Sequence, residues 1–135
     1  YEIGQWLEFR RVLFRSVASD LVVLPVNPDK FSILGFEKNY QELQDIKKDF
    51  KIGADIKVLF TKYDAREKMS GEYLDAFIEK YPDILLKSYI RVSSDAKNTL
   101  ATSKSIYSTK SSAKEDYHLV TMELLNLEKD NLCHL

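Results

Sequence analysis

The run Leu21-Val22-Val23-Leu24-Pro25-Val26 constrains the fold of this chain more than any other feature. It is almost wholly apolar, rich in β-branched residues, and bounded by Asp20 and by Asn27-Pro28. A strand with one wet face alternates polar and apolar residues. A strand buried on both faces reads as a continuous apolar run, and such strands belong to parallel sheets covered by helices. Pro28 pushes Asn27 out of the helical region and ends the run.

Helical spacing follows. Ser32 is the predicted N-cap, and Phe36, Tyr40, Leu43, Ile46 and Phe50 share one face, with Glu37, Lys38, Glu42 and Lys47 on others. Lys51-Ile52-Gly53 ends that helix, and a second apolar strand runs from Ile56 to Phe60. Ser70 is the predicted cap of a second helix carrying Tyr73, Leu74, Phe77, Ile78 and Tyr81, stopped at Tyr81-Pro82. A third strand is expected over Ile84 to Val92, interrupted by Lys87 and Ser88 and therefore nearer a sheet edge. Ser93 to Lys110 reads as loop with one short helix. Ser112-Ala113-Lys114-Glu115 is a capping box, opening a helix that buries Tyr117, Val120, Leu124 and Leu127. Strands alternating with helices predict a parallel α/β fold with about three strands and three main helices. So few strands make a poor free-standing sheet, so further strands are expected beside them.

At 135 residues, 44% apolar and 30% charged, the chain reads as one globular domain. Its net charge of −1 gives no global attraction to nucleic acid, so any such contact needs a local basic patch. Cys133 is the single cysteine, which rules out an internal disulfide and fits a reducing cytoplasm. It is not placed for prenylation. No apolar run approaches the ~18 residues of a membrane span, and the tail from Glu128 is mixed in charge, so no membrane partner is expected. Residues 1–16, YEIGQWLEFRRVLFRS, resemble a translated sequencing adaptor. They lack the apolar core of a signal peptide and are set apart from the fold, which implies a natural chain longer on the N-terminal side. The expected organisation is thus 1–16 foreign, 17–128 the domain, and 129–135 a tail.

Ligands of open parallel sheets sit at the carboxyl ends of the strands, which selects three loops: Asn27 to Lys30, Thr61 to Lys68, and Arg91 to Asn98. The second carries Thr61-Lys62-Tyr63-Asp64 directly after a strand, with Arg66 close behind. This resembles the base-recognition element of GTPases, in which a lysine stem lies over the purine and an aspartate takes two guanine donors. It resembles equally the T-K-Y-D or T-M-Y-D that ends the matching strand of ParA proteins.

Three further segments carry the ParA resemblance. Ala18 to Val26, followed by Pro28, Phe31, Ser32 and Gly35, is similar to the segment after the Walker B strand. Ile90-Arg91 and the small-residue stretch ending in Ser105-Ile106-Tyr107 resemble the last strand and its loop. Asp116-Tyr117 with Glu123-Leu124-Leu125 resembles the closing helix. The resemblance covers roughly Val17 to Glu128. It implies the C-terminal part of a P-loop NTPase-like fold of the deviant-Walker, SIMIBI type, in a protein that partitions plasmid or chromosomal DNA. It further implies ATP and Mg²⁺ as cofactors of the intact protein, an ATP-bound homodimer, nonspecific DNA and a ParB-like protein as partners, and a cytoplasmic, nucleoid-associated location.

The site residues implied are Thr61, Lys62, Asp64 and Arg91 beside the adenine. Arg66, Lys97, Lys104, Lys110 and Lys114 are implied for DNA, the four lysines having no acid between Lys97 and Lys114. Phosphate contacts need cations on one surface rather than a sequence code. The chain departs from the family in carrying no glycine-rich phosphate loop, since Gly53 and Gly71 are isolated. Without that loop nothing cradles the β- and γ-phosphates, so this chain alone is not expected to hydrolyse ATP, nor to bind either cofactor tightly. The Walker B carboxylate, expected just before Ala18, is also replaced, and the usual P-R-N reads Ile90-Arg91-Val92-Ser93.

Other chemistry finds little footing. His118, His134 and Cys133 do not form a metal-ligand spacing, and Ser93-Ser94 and Ser111-Ser112 lack a supporting His/Asp arrangement. Glu72, Asp75 and Glu79 read as solvated helix charge, and Tyr73, Phe77 and Tyr81 as core. Two rival readings remain. One is a MinD-like or GTPase relative, although the tail lacks the amphipathic membrane helix of MinD-like proteins. The other is a standalone, non-catalytic α/β binding module with residues 1–16 genuine.

Overall fold

A computed structural model of the protein describes residues 14–133 together with Gly4 and Arg11. Most of the segment read as foreign, and His134, lie outside the described residues. Strand β1 (Leu21–Val26) leads into helix α1 (Lys30–Phe50), strand β2 (Asp55–Phe60) and helix α2 (Lys68–Lys80). Helix α3 (Ser94–Ala101), a 3₁₀ turn (Ile106–Ser108) and helix α4 (Ser112–Cys133) complete the chain. The protein is mixed α/β, and β1 and β2 form a parallel pair with Leu21 opposite Asp55 and Val26 opposite Phe60. Among the described residues, no helix is long and apolar enough to cross a membrane.

The expected third strand is not continuous. Its first part pairs with β2 through Val58 N–H to Ile84 C=O (2.8 Å) and Leu86 N–H to Val58 C=O (2.9 Å). Pairing resumes with Ile90 N–H to Phe60 C=O (2.9 Å). Two residues of β2 are thus matched by four of the partner, and residues 87–89 bulge out. The bulge leaves the Lys87 and Ser88 N–H groups without a ladder partner. They donate instead to the two oxygens of Glu123 on α4, at 2.7 and 2.9 Å. A carboxylate supplied by a distant helix is what makes the break tolerable.

β1 was expected to be buried on both faces, and it is not. Val26 is 1% exposed, but Leu21 to Leu24 are half-buried and Pro25 is exposed. The carbonyls of Asp20 and Val26 accept from Asp55 and Thr61 of the β2 side. By alternation, Pro25 therefore turns its missing N–H to the opposite edge, where it removes no bond from the β1–β2 ladder. Among the described residues no strand pairs with that edge.

The core lies between the sheet and the first two helices, where Val26, Val58 and Phe60 meet Phe36 and Phe77. The rings interlock: Phe77 lies 5.0 Å from Phe36, 5.7 Å from Phe60 and 4.9 Å from Tyr81, centroid to centroid. These are favourable tilted and edge-on arrangements. The helical spacing placed Phe50 in this core, but it stands exposed at the last position of α1.

Three caps differ from the sequence expectation. Asp29, not Ser32, caps α1: its Oδ1 accepts the Ser32 N–H at 2.7 Å, while the Ser32 hydroxyl turns back to accept from Asn27 N–H. Helix α2 begins after Glu67, leaving Ser70 inside it, fully buried and donating to the Glu67 carboxylate. At α4 the Ser111 hydroxyl accepts the Lys114 N–H at 3.3 Å, one residue before the expected capping box. Tyr117, expected inside, is exposed, whereas Ala113, Asp116 and Val120 are buried.

Helix α1 ends where Lys51 adopts the left-handed conformation, φ 51°, ψ 44°. Gly53, the residue best able to take it, lies two positions later. A Cβ in this region costs about 1 kcal/mol. Lys51→Gly is therefore expected to stabilise the protein by about 0.5–1 kcal/mol, read as a rise in the urea midpoint.

Candidate functional site at the strand ends

The carboxyl ends of β1 and β2 lie side by side because the strands are parallel. Asn27 follows β1 and Thr61 follows β2. Thr61 N–H donates to Val26 C=O at 2.8 Å, and its hydroxyl donates to Asn27 Oδ1, also at 2.8 Å. With Oδ1 engaged, the two amide hydrogens of Asn27 are left for other acceptors. The strand-end rule selects the loop that Asn27 opens, but Asn27 itself is not among the site residues expected from the sequence.

Lys62 is exposed and left-handed, φ 54°. This turn sets Tyr63 back against the third segment: its N–H donates to Ile90 C=O and its C=O accepts from Val92 N–H. The Tyr63 ring meets Tyr89 edge-on at 4.9 Å. The Thr61–Asp64 loop and Arg91 are thereby brought to one end of the sheet. Asp64 organises the turn, accepting the Arg66 N–H at 3.0 Å and pairing with its guanidinium at 3.4 Å. Arg66 is 92% exposed, so this pair contributes little to stability.

Arg91 is committed elsewhere. Its Nε and Nη2 donate to the Asp116 carboxylate at 2.8–3.1 Å, and its own backbone N–H reaches Asp116 Oδ2 at 3.0 Å. Hydrogen bonding to Asp116, reinforced by its charge, raises the guanidinium pKa further above its ordinary range, so Arg91 stays cationic. Asp116 and Glu123 are seven residues apart on α4 and clamp the third segment at Arg91 and at the bulge. The sequence marks both only as part of a segment resembling a closing helix; their clamping role is not legible there, because each acquires it through a partner more than 20 residues away.

The basic residues divide. Lys97 lies on α3, and Lys104 follows that helix; both are exposed. Lys110 and Lys114 come together at a cleft of about 710 Å³ that Tyr107, Ser112, Glu115 and His118 also line. Arg66 belongs to the strand-end loop with Asp64. No protein-family model matches the chain, and no curated protein sequence matches it.

Proposed function

We propose that this chain is the C-terminal part of a ParA-type ATPase that partitions plasmid or chromosomal DNA, with residues 1–16 foreign to it. The observation that carries the reading is the convergence of Asn27, the Thr61–Asp64 loop and Arg91 at the carboxyl end of a parallel sheet. Open α/β sheets hold nucleotides there. The unpaired edge of β1 supports it too, because a further parallel strand would complete that ladder. The residues present fit the base end of a nucleotide: an amide with free donors, a hydroxyl and an exposed lysine. They do not fit its phosphates, which need a glycine-rich loop that the sequence lacks.

In this reading Thr61, Lys62 and Asp64 form the adenine side, and Arg91 positions the loop through Asp116. ATP and Mg²⁺ would be held jointly with the other half of the protein, and the ATP-bound homodimer would bind nonspecific DNA until a ParB-like partner releases it. The location is the bacterial nucleoid.

Amide NMR tests the nucleotide part. Millimolar ATP is expected to shift Asn27 and Thr61 to Asp64 selectively. Larger shifts with GTP would favour the GTPase relative, and no selective shift with either would remove the nucleotide reading.

A further inference from the structure

Helix α4 carries apolar residues on two opposite sides. On its inner side Ala113 and Val120 are buried together with the Asp116 carboxylate. At about 100° per residue, Leu119, Met122 and Leu125 fall on the outer side, where they are 57%, 45% and 46% exposed. Scattered exposed apolar residues need no explanation, but a continuous stripe does. A helix that is apolar on both sides is one that is covered on both sides.

A strand added beside β1 does not cover this stripe. The sheet runs from β1 through β2 to the third segment, and α4 is clamped to the third segment. The open edge of β1 is therefore the edge farther from α4.

The order of charges along α4 fits a second copy of the same helix. A two-fold axis across an antiparallel pair matches each position with the one equally far beyond the axis. With the axis at Met122, Leu119 meets Leu125 of the second copy, and His118 meets Asn126. Position 115, a glutamate, then faces position 129, a lysine, and position 114, a lysine, faces position 130, an aspartate. Symmetry makes each match twice. A parallel pair would instead set glutamate against glutamate and lysine against lysine, which disfavours that arrangement.

We propose that the outer side of α4 forms a nucleotide-independent homodimer, an antiparallel helix pair with Met122 on the two-fold axis and Glu115 opposite Lys129. This contact is separate from the ATP-bound dimer, which needs the phosphate-binding half, and it does not rest on the ATPase reading. One helix pair is a small interface, so half-dissociation is expected at about 10–100 µM.

The test is sedimentation equilibrium of the full chain without nucleotide, from about 5 to 500 µM so as to bracket that range. Circular dichroism verifies that each variant is folded. Met122→Glu sets two carboxylates against each other on the axis and is expected to leave the chain monomeric throughout. Glu115→Lys and Lys129→Glu, each replacing two attractions with two repulsions, are expected to weaken the dimer about 3–10-fold. The double variant restores opposite charges and is expected to return to within about twofold of the wild type.

A wild type that stays monomeric at the highest concentration would overturn the proposal. So would a dimer that survives Met122→Glu, because its contact then lies elsewhere on the molecule. Charge variants that weaken the dimer singly but show no recovery when combined would overturn the antiparallel register.

Discussion

Phe77→Ala is expected to cost about 3–5 kcal/mol, the range for truncating a buried aromatic side chain. Phe77 is 3% exposed and joins both helices to the sheet, touching Phe36 of α1, Phe60 of β2 and Tyr81 just after α2. Deleting the ring leaves a void that its neighbours cannot all close, because each ring is held by the others. A domain of this size has roughly 5–15 kcal/mol of stability in total, so the variant is expected to approach unfolding at physiological temperature. The neighbouring Ile78 is 47% exposed, and Ile78→Ala is expected to fall within about 1 kcal/mol. Urea unfolding of the two variants decides the matter: similar losses at both positions would mean that α2 does not pack on the sheet through Phe77.

Asp116→Ala is expected to release α4 from the third segment. The side chain is 6% exposed and accepts every bond that Arg91 donates to it, backbone included. Its removal strands a backbone N–H and a guanidinium together. Hydrogen exchange at Arg91 and along α4 is expected to accelerate about tenfold, the factor that accompanies loss of a hydrogen bond to a charged group worth about 1.5 kcal/mol. Amides of α1 and α2 should change much less. Asp116 is buried but the Arg91 side chain is 44% exposed, so water reaches the guanidinium that Asp116→Leu leaves unpaired, and adding Arg91→Leu is expected to recover only a small part of the stability lost. Uniform acceleration across all helices would mean that the clamp is not local to α4.

Most of the β1–α1–β2–α2 unit was legible because its signals are local. The apolar run of β1, the helical spacing of Phe36, Tyr40, Leu43 and Ile46, and the stop at Tyr81-Pro82 all depend on near neighbours. Even the break in the third segment was visible as Lys87-Ser88 in an otherwise apolar stretch. Its consequence was not visible, since the carboxylate that satisfies the bulge comes from Glu123. The caps were misread by a few residues: Asp29 stands near Ser32 and Ser111 beside Ser112, and α2 starts after Glu67, which makes no side-chain capping bond, rather than at Ser70. Which one caps depends on where the preceding strand releases the chain, and spacing alone does not record that. For the strand-end site, the loop was found but the state of its members was not. Thr61 is bound to Asn27, Asp64 organises its own turn, and Arg91 is held by Asp116.

The central claim is that residues from Val17 onward continue a nucleotide-binding domain whose phosphate-binding half precedes them. The direct measurement is to read the source DNA upstream of the Val17 codon and translate it in frame. The expected result is a glycine-rich phosphate loop followed by a strand ending in aspartate, in place of residues 1–16. Uninterrupted coding of Tyr1 to Ser16 behind a start codon, with no such loop, would contradict the account and favour a small α/β binding module.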